Sequence, residues 1–207
     1  MSHYTYEFEN KSTKLETYEW DNVWWEQTNK NDISRVLYIG DSISCATRRI
    51  ATSCSEDKIL FDGFGTSKAL DNPFLFDSIR MFAKQQKYRN AILFNNGLHG
   101  WHLDDDTQYL YYYEKMVKFL LDEFKDTHIL IVLTTSVSNA EREQRVKRRN
   151  EVAAKIADKY GLSIIDLYSI SVEFSELRTN DGVHFNADGY KKFAEQIICD
   201  LKTINVK

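Results

Sequence analysis

The sequence predicts a three-layer α/β/α sandwich built on a parallel sheet of five strands. Two observations carry this. Short apolar runs, at residues 36–39, 91–94 and 129–133 among others, alternate with longer stretches whose apolar residues recur at helical spacing. The runs also lack the in–out alternation of a half-exposed strand, so both faces of the sheet are expected to be covered. Strand–helix–strand units of this kind pair in parallel.

Taken in order, residues 36–39 (Val-Leu-Tyr-Ile) form the first strand, and Gly40 gives it a tight exit. A helix follows from about Ser44. Residues 58–61 read as a second strand, and a helix over 73–86 has its one proline, Pro73, near the start. Residues 91–94 form the third strand. Leu110, Tyr113, Met116, Val117, Leu120, Leu121 and Phe124 then mark one face of a helix over 105–124. A fourth strand at 129–133 leads to a charged helix over 140–160, which Gly161 closes. A fifth strand at 162–167 and a last helix over 187–201 complete the pattern. Ligands of such sheets bind beyond the carboxyl ends of the strands. Three segments fall there: residues 40–42, 95–101 and the loop ending at His184.

The 207 residues fit one domain, 32–207, preceded by an aromatic-rich arm at 1–31. In the arm Tyr4, Tyr6 and Phe8 alternate with other residues as a strand would, and Tyr18, Trp20, Trp24 and Trp25 follow. The arm is expected to pack on the domain or to wall the substrate site. A net charge of −4 argues against nucleic acid as partner. The one basic run, Arg145, Lys147, Arg148 and Arg149, reads as a solvated helix face. No apolar run reaches bilayer length and no secretory leader pattern opens the chain, so a cytosolic protein without membrane contact is expected. Cys45, Cys54 and Cys199 form no Cys-x-x-Cys pair and imply neither a disulfide framework nor zinc.

The chemistry-bearing residues lie at opposite ends of the α/β pattern. In Gly40-Asp41-Ser42-Ile43-Ser44, Ser42 falls at a helix N-terminus, where unpaired N–H groups favour developing negative charge. Ser42 or Ser44 read simply as a helix cap is the alternative. A serine nucleophile needs a base, and the base an orienter. Asp181-Gly182-Val183-His184 offers both at a turn spacing that places two side chains together; turn residues followed by Asn186 as a helix cap are the plainer reading. The Gly-x-Ser-x-Gly elbow of α/β-hydrolases is absent around Ser42.

These two segments resemble the first and last blocks of the SGNH (GDSL-like) hydrolases, over residues 35 to about 200. The resemblance implies a flavodoxin-like sandwich and hydrolysis of esters or thioesters without metal or cofactor. Ser42 would be the nucleophile, His184 the base and Asp181 its orienter. It further implies oxyanion donors from the Ser42 backbone, a second-block glycine and a third-block asparagine. Gly65-Thr66-Ser67 is similar to the second block, which makes Gly65 the candidate and Gly63 the alternative. The third block departs from the family's Gly-x-Asn-Asp: Asn95-Asn96-Gly97-Leu98-His99-Gly100 puts His99 where the asparagine belongs, with Asn96 as the other candidate. A small-molecule or carbohydrate ester with a short acyl group is the implied substrate. An acyltransferase and a catalytically idle binding domain are the alternatives. His99, His102 and Asp104–Asp106 also admit a metal-site reading, which ranks below a helix start and loop polar residues. His128, opening a strand, reads as structural.

Overall fold

The computed structural model describes residue 15 and residues 18–86 and 88–204; the alternating Tyr4, Tyr6 and Phe8 lie outside them. The strands are β1 (Asp21–Trp24), β2 (Ser34–Gly40), β3 (Ile59–Thr66), β4 (Ala91–Phe94), β5 (His128–Val132) and β6 (Ser163–Ile165). The helices are α1 (Ser42–Cys54), α2 (Leu75–Ala83), α3 (Asp106–Glu123), α4 (Ala140–Tyr160), α5 (Leu167–Glu173) and α6 (Ala187–Thr203).

Among the described residues the sheet has six strands, in the order β1-β3-β2-β4-β5-β6, not the five expected. The five parallel strands are those the sequence marks, in the flavodoxin-like order with the first strand second from one end. The sixth, β1, pairs antiparallel with β3 as an edge strand. It comes from the aromatic segment read as an arm. Its burial is slight; it is held by backbone pairing to β3 and by side-chain bonds of Asp21 to Thr66 and Lys68 and of Asn22 to Arg48.

Each central strand divides its side chains between two cores. Val36, Tyr38, Phe61, Leu93 and Leu130 meet Phe193, Ile197 and Leu201 of α6, with α1 beside it. Leu37, Ile39, Phe94 and Ile131 meet Ile79, Met116, Leu120 and Ile156 from α2, α3 and α4. The apolar stripe read on the long helix is therefore core: Tyr113, Met116, Val117 and Leu120 are buried. A buried Arg35–Asp62 ion pair at 3.0 Å adds a polar anchor, since Arg35 also donates to the carbonyls of Glu26, Gln27 and Lys30 and so fixes the approach to β2.

One expectation is corrected. The basic run is not wholly solvated: Arg145 and Arg149 are each 3% exposed, turned inward from α4. His128 opens β5, as expected, and is exposed there. Among the described residues no helix is long and apolar enough to cross a membrane.

Candidate active site

β2 ends at Gly40, and the chain turns at once into α1. The cap is Asp41, whose Oδ1 accepts from the Ile43 N–H at 2.9 Å. Ser44 donates its hydroxyl to the Asp41 carbonyl at 2.6 Å. Neither Ser42 nor Ser44 is the cap, and the helix starts two residues before the expected Ser44. Ser42 is thus the first helical residue, half-buried at the carboxyl end of the sheet.

The last block meets it there. His184 Nε2 lies 2.8 Å from Ser42 Oγ, and His184 Nδ1 lies 2.7 Å from Asp181 Oδ2. An ionised Asp181 only accepts, so Nδ1 carries the proton and Nε2 accepts from the serine hydroxyl. The second Asp181 oxygen, Oδ1, accepts from the N–H groups of Val183 and His184, each at 2.9 Å, and from the Thr179 hydroxyl at 2.8 Å. Burial raises the Asp181 pKa, but these bonds and the His184 ring outweigh it and hold the carboxyl well below the usual carboxylate range. Asp181 is therefore anionic throughout the neutral range.

The turn is clamped from both sides. Gly182 has φ +79° and packs against Ser138, whose N–H donates to the Gly182 carbonyl at 2.8 Å. A side chain there would be strained in backbone and would meet Ser138. The Thr179 N–H donates to the His184 carbonyl at 2.8 Å, and Arg178 donates to Ser136 while lying over the Phe185 ring. Asn186 caps α6 through Gly189, so the plainer cap reading of this segment is also correct.

Gly65 pairs in register with Gly40, which puts it beside Asp41 and Ser42. The Cys45 sulfur fills the space a Gly65 side chain would need. Gly63, the alternative, pairs with Tyr38 deeper in the sheet and is covered by Arg48. His99 is 2% exposed, edge-on to Trp20 at 5.8 Å, and near enough to Asp41 to act on its charge. Asn96 turns its amide toward the Lys68 carbonyl at 3.3 Å, and Asn95 is tied to Val132 and Thr134. Of the two third-block candidates, His99 is the one whose charge acts on Asp41. Asp41 itself is pushed up by burial, only partly offset by His99, His184 and the Ile43 and Ser44 N–H groups.

His102 does not join His99; it pairs with Asp71 at 2.9 Å. Among the described residues no group of three or more His, Cys, Asp or Glu side chains is placed to hold a metal ion. Thr179, Tyr109 and Arg149 were not singled out for the site. Thr179 stands two residues before Asp181, where a hydroxyl can fold back on a turn carboxylate. The others reach the third-block loop from helices, and no local pattern announces that.

No family model matches the chain, and neither does any curated protein. Solved structures do match. The chain is similar to a lipase/acylhydrolase from Enterococcus faecalis, at 15% identity over 83% of this chain and 97% of that one, with a TM-score of 0.66. It is similar to an acetyl xylan esterase at 16% identity, over 81% and 99%, with a TM-score of 0.65. It is also similar to the C-terminal catalytic domain of a peptidoglycan O-acetyltransferase from Streptococcus pneumoniae, at 17% identity over 83% and 94%, with a TM-score of 0.64. The fold is that of the SGNH (GDSL-like) hydrolases.

Proposed function

We propose that the protein is a serine esterase that removes a short acyl group, such as acetyl, from a small-molecule or carbohydrate alcohol. The observation that carries this reading is the continuous relay from Ser42 Oγ through His184 to Asp181, at 2.8 and 2.7 Å. Those lengths are within hydrogen-bond reach before any substrate arrives.

Ser42 Oγ attacks the acyl carbonyl while His184 Nε2 takes its proton. Asp181 holds the imidazolium that forms. The tetrahedral oxyanion is met by the N–H groups of Ser42 and Gly65 and by a third donor, His99 or Asn96. Collapse expels the alcohol, which takes the proton from His184. Water then repeats the sequence on the acyl-enzyme, and Ser42 is restored. The segment that leads into β1 would wall the site, with Trp20, against His99, at its edge.

The short acyl group is supported by likeness to proteins described as an acetyl xylan esterase and an acetyl esterase. The likeness to a peptidoglycan O-acetyltransferase favours one second reading, transfer of the acyl group to a sugar alcohol by the same triad. Acid-quenched incubation with an acetyl ester, followed by mass spectrometry of the Ser42 peptide, tests the acyl-enzyme. Product analysis with sugar acceptors present separates transfer from hydrolysis. An unmodified Ser42 peptide under turnover conditions would refute the covalent route.

A further inference from the structure

We infer that Arg149, on α4, is a positioning residue for the loop 97–103, setting the third oxyanion donor from behind. The inference rests on the esterase reading. Its guanidinium Nη1 donates to the carbonyls of Gly97 at 3.1 Å and His99 at 2.7 Å. Nη2 donates to those of Gly100 at 2.7 Å and Leu103 at 3.1 Å. The side chain lies against the rings of Trp101 and Tyr109, at 4.9 and 4.5 Å. The Tyr109 hydroxyl donates to the carbonyl of Asn96, the residue just before the loop.

Peptide planarity makes each held carbonyl a constraint on the N–H that follows it, which points the opposite way. Carbonyls of four residues drawn toward one cation therefore fix the loop's peptide planes. His99 is held through its own carbonyl, so its imidazole leaves the backbone at a set place against Trp20 and on the Asp41 side. An oxyanion donor helps only if it is in position before charge develops. A planar fork with five donors suits convergent acceptors, whereas a lysine ammonium is a compact point charge and cannot span them. This gives a role to a buried arginine that the sequence pattern assigned to a solvated face. It also accounts for a third block without the family asparagine: the donor on this inference is His99, held by a dedicated anchor.

The test compares wild type, Ser42→Ala, Arg149→Lys and Arg149→Gln. It reads kcat and KM on p-nitrophenyl acetate, affinity for a boronic acid that forms a tetrahedral adduct on Ser42, and amide hydrogen exchange. For Arg149→Lys the expected result is a kcat lower by about a hundredfold, KM within about twofold, and boronate affinity reduced in parallel. Exchange is expected to quicken at 97–103 and stay unchanged in the sheet. Unchanged kcat alongside quickened loop exchange would overturn the inference, as would a loss expressed in KM alone. Failure of both Arg149 variants to fold would make Arg149 a core residue only and overturn it too. No Ser42-dependent turnover in the wild type would overturn the esterase reading itself, an outcome distinct from any of these.

Discussion

Thr179 donates its hydroxyl to Asp181 Oδ1 at 2.8 Å, on the same carboxylate whose other oxygen holds the His184 ring at 2.7 Å. The turn carboxylate is thus built to stay ionised, with donors on both oxygens. Replacing Thr179 by Val removes one donor and leaves the two N–H groups of Val183 and His184. A loss of about fivefold in kcat is expected, equivalent to roughly 1 kcal/mol for one hydrogen bond. Restoration by Thr179→Ser, measured in the same assay, would separate the hydroxyl from the methyl group.

Asp181→Asn should cost far more, because a neutral amide neither fixes the Nδ1–H tautomer nor balances the imidazolium. A fall of about 10²- to 10⁴-fold in kcat is expected, with substrate binding little changed. The same variant has a stability signature. The folded Asp181 carboxyl lies below its unfolded value, so its contribution is fully present above the usual carboxylate range. That contribution is lost as pH falls through the folded value. Urea unfolding should therefore show the wild type ahead of Asp181→Asn at pH 7, with the gap closing toward pH 2.

Asp41 runs the other way. Its pKa is raised, chiefly by burial, so the folded state prefers the protonated form and stability falls as pH rises from the unfolded value through the folded one. Its Oδ2 is buried with no partner among the described residues, as is the Thr135 hydroxyl that lines the same small pocket. Asp41→Asn keeps the cap oxygen for Ile43 and places an amide donor toward that pocket. It should unfold at higher urea than wild type at pH 7, with the advantage disappearing near pH 3. A variant less stable at both pH values would refute this reading of the pocket.

The strand–helix order and the meeting of Ser42, His184 and Asp181 were legible because each rests on a local pattern: apolar runs bounded by turns, and polar residues just past them. Other features were not, for identifiable reasons. Asp21-Asn22-Val23-Trp24 is too short and too polar to stand out as a strand, and its partners, the β3 edge with Thr66 and Lys68 beside it and Arg48 of α1, lie far along the chain. Leu167–Glu173 is seven residues long, too short for a helical stripe to stand out, and its start runs into the apolar run of β6. β3 continues through Asp62, Gly63 and Gly65, residues with poor strand propensity, because Asp62 is paired with Arg35 and the glycines make room for Arg48 and Cys45. The burial of Arg149 depends on a loop 50 residues earlier in the chain, which no window of sequence reveals.

That packing at Gly65 gives a further test. Gly65→Ala would press a methyl group onto the Cys45 sulfur and shift the proposed N–H donor. A loss of about a hundredfold in kcat is expected, on the scale of one oxyanion donor. Cys45→Ala in the same chain should return part of it, because it vacates the space. Strict additivity of the two substitutions, measured as a double-mutant cycle, would mean that the contact does not control the donor.

The most direct measurement is turnover of p-nitrophenyl acetate and butyrate by wild type and Ser42→Ala, side by side. The expected result is clear hydrolysis by the wild type, acetate ahead of butyrate, abolished in Ser42→Ala with its fold intact. Equal rates from the two proteins would mean that Ser42 is not the nucleophile, and would contradict the account at its centre.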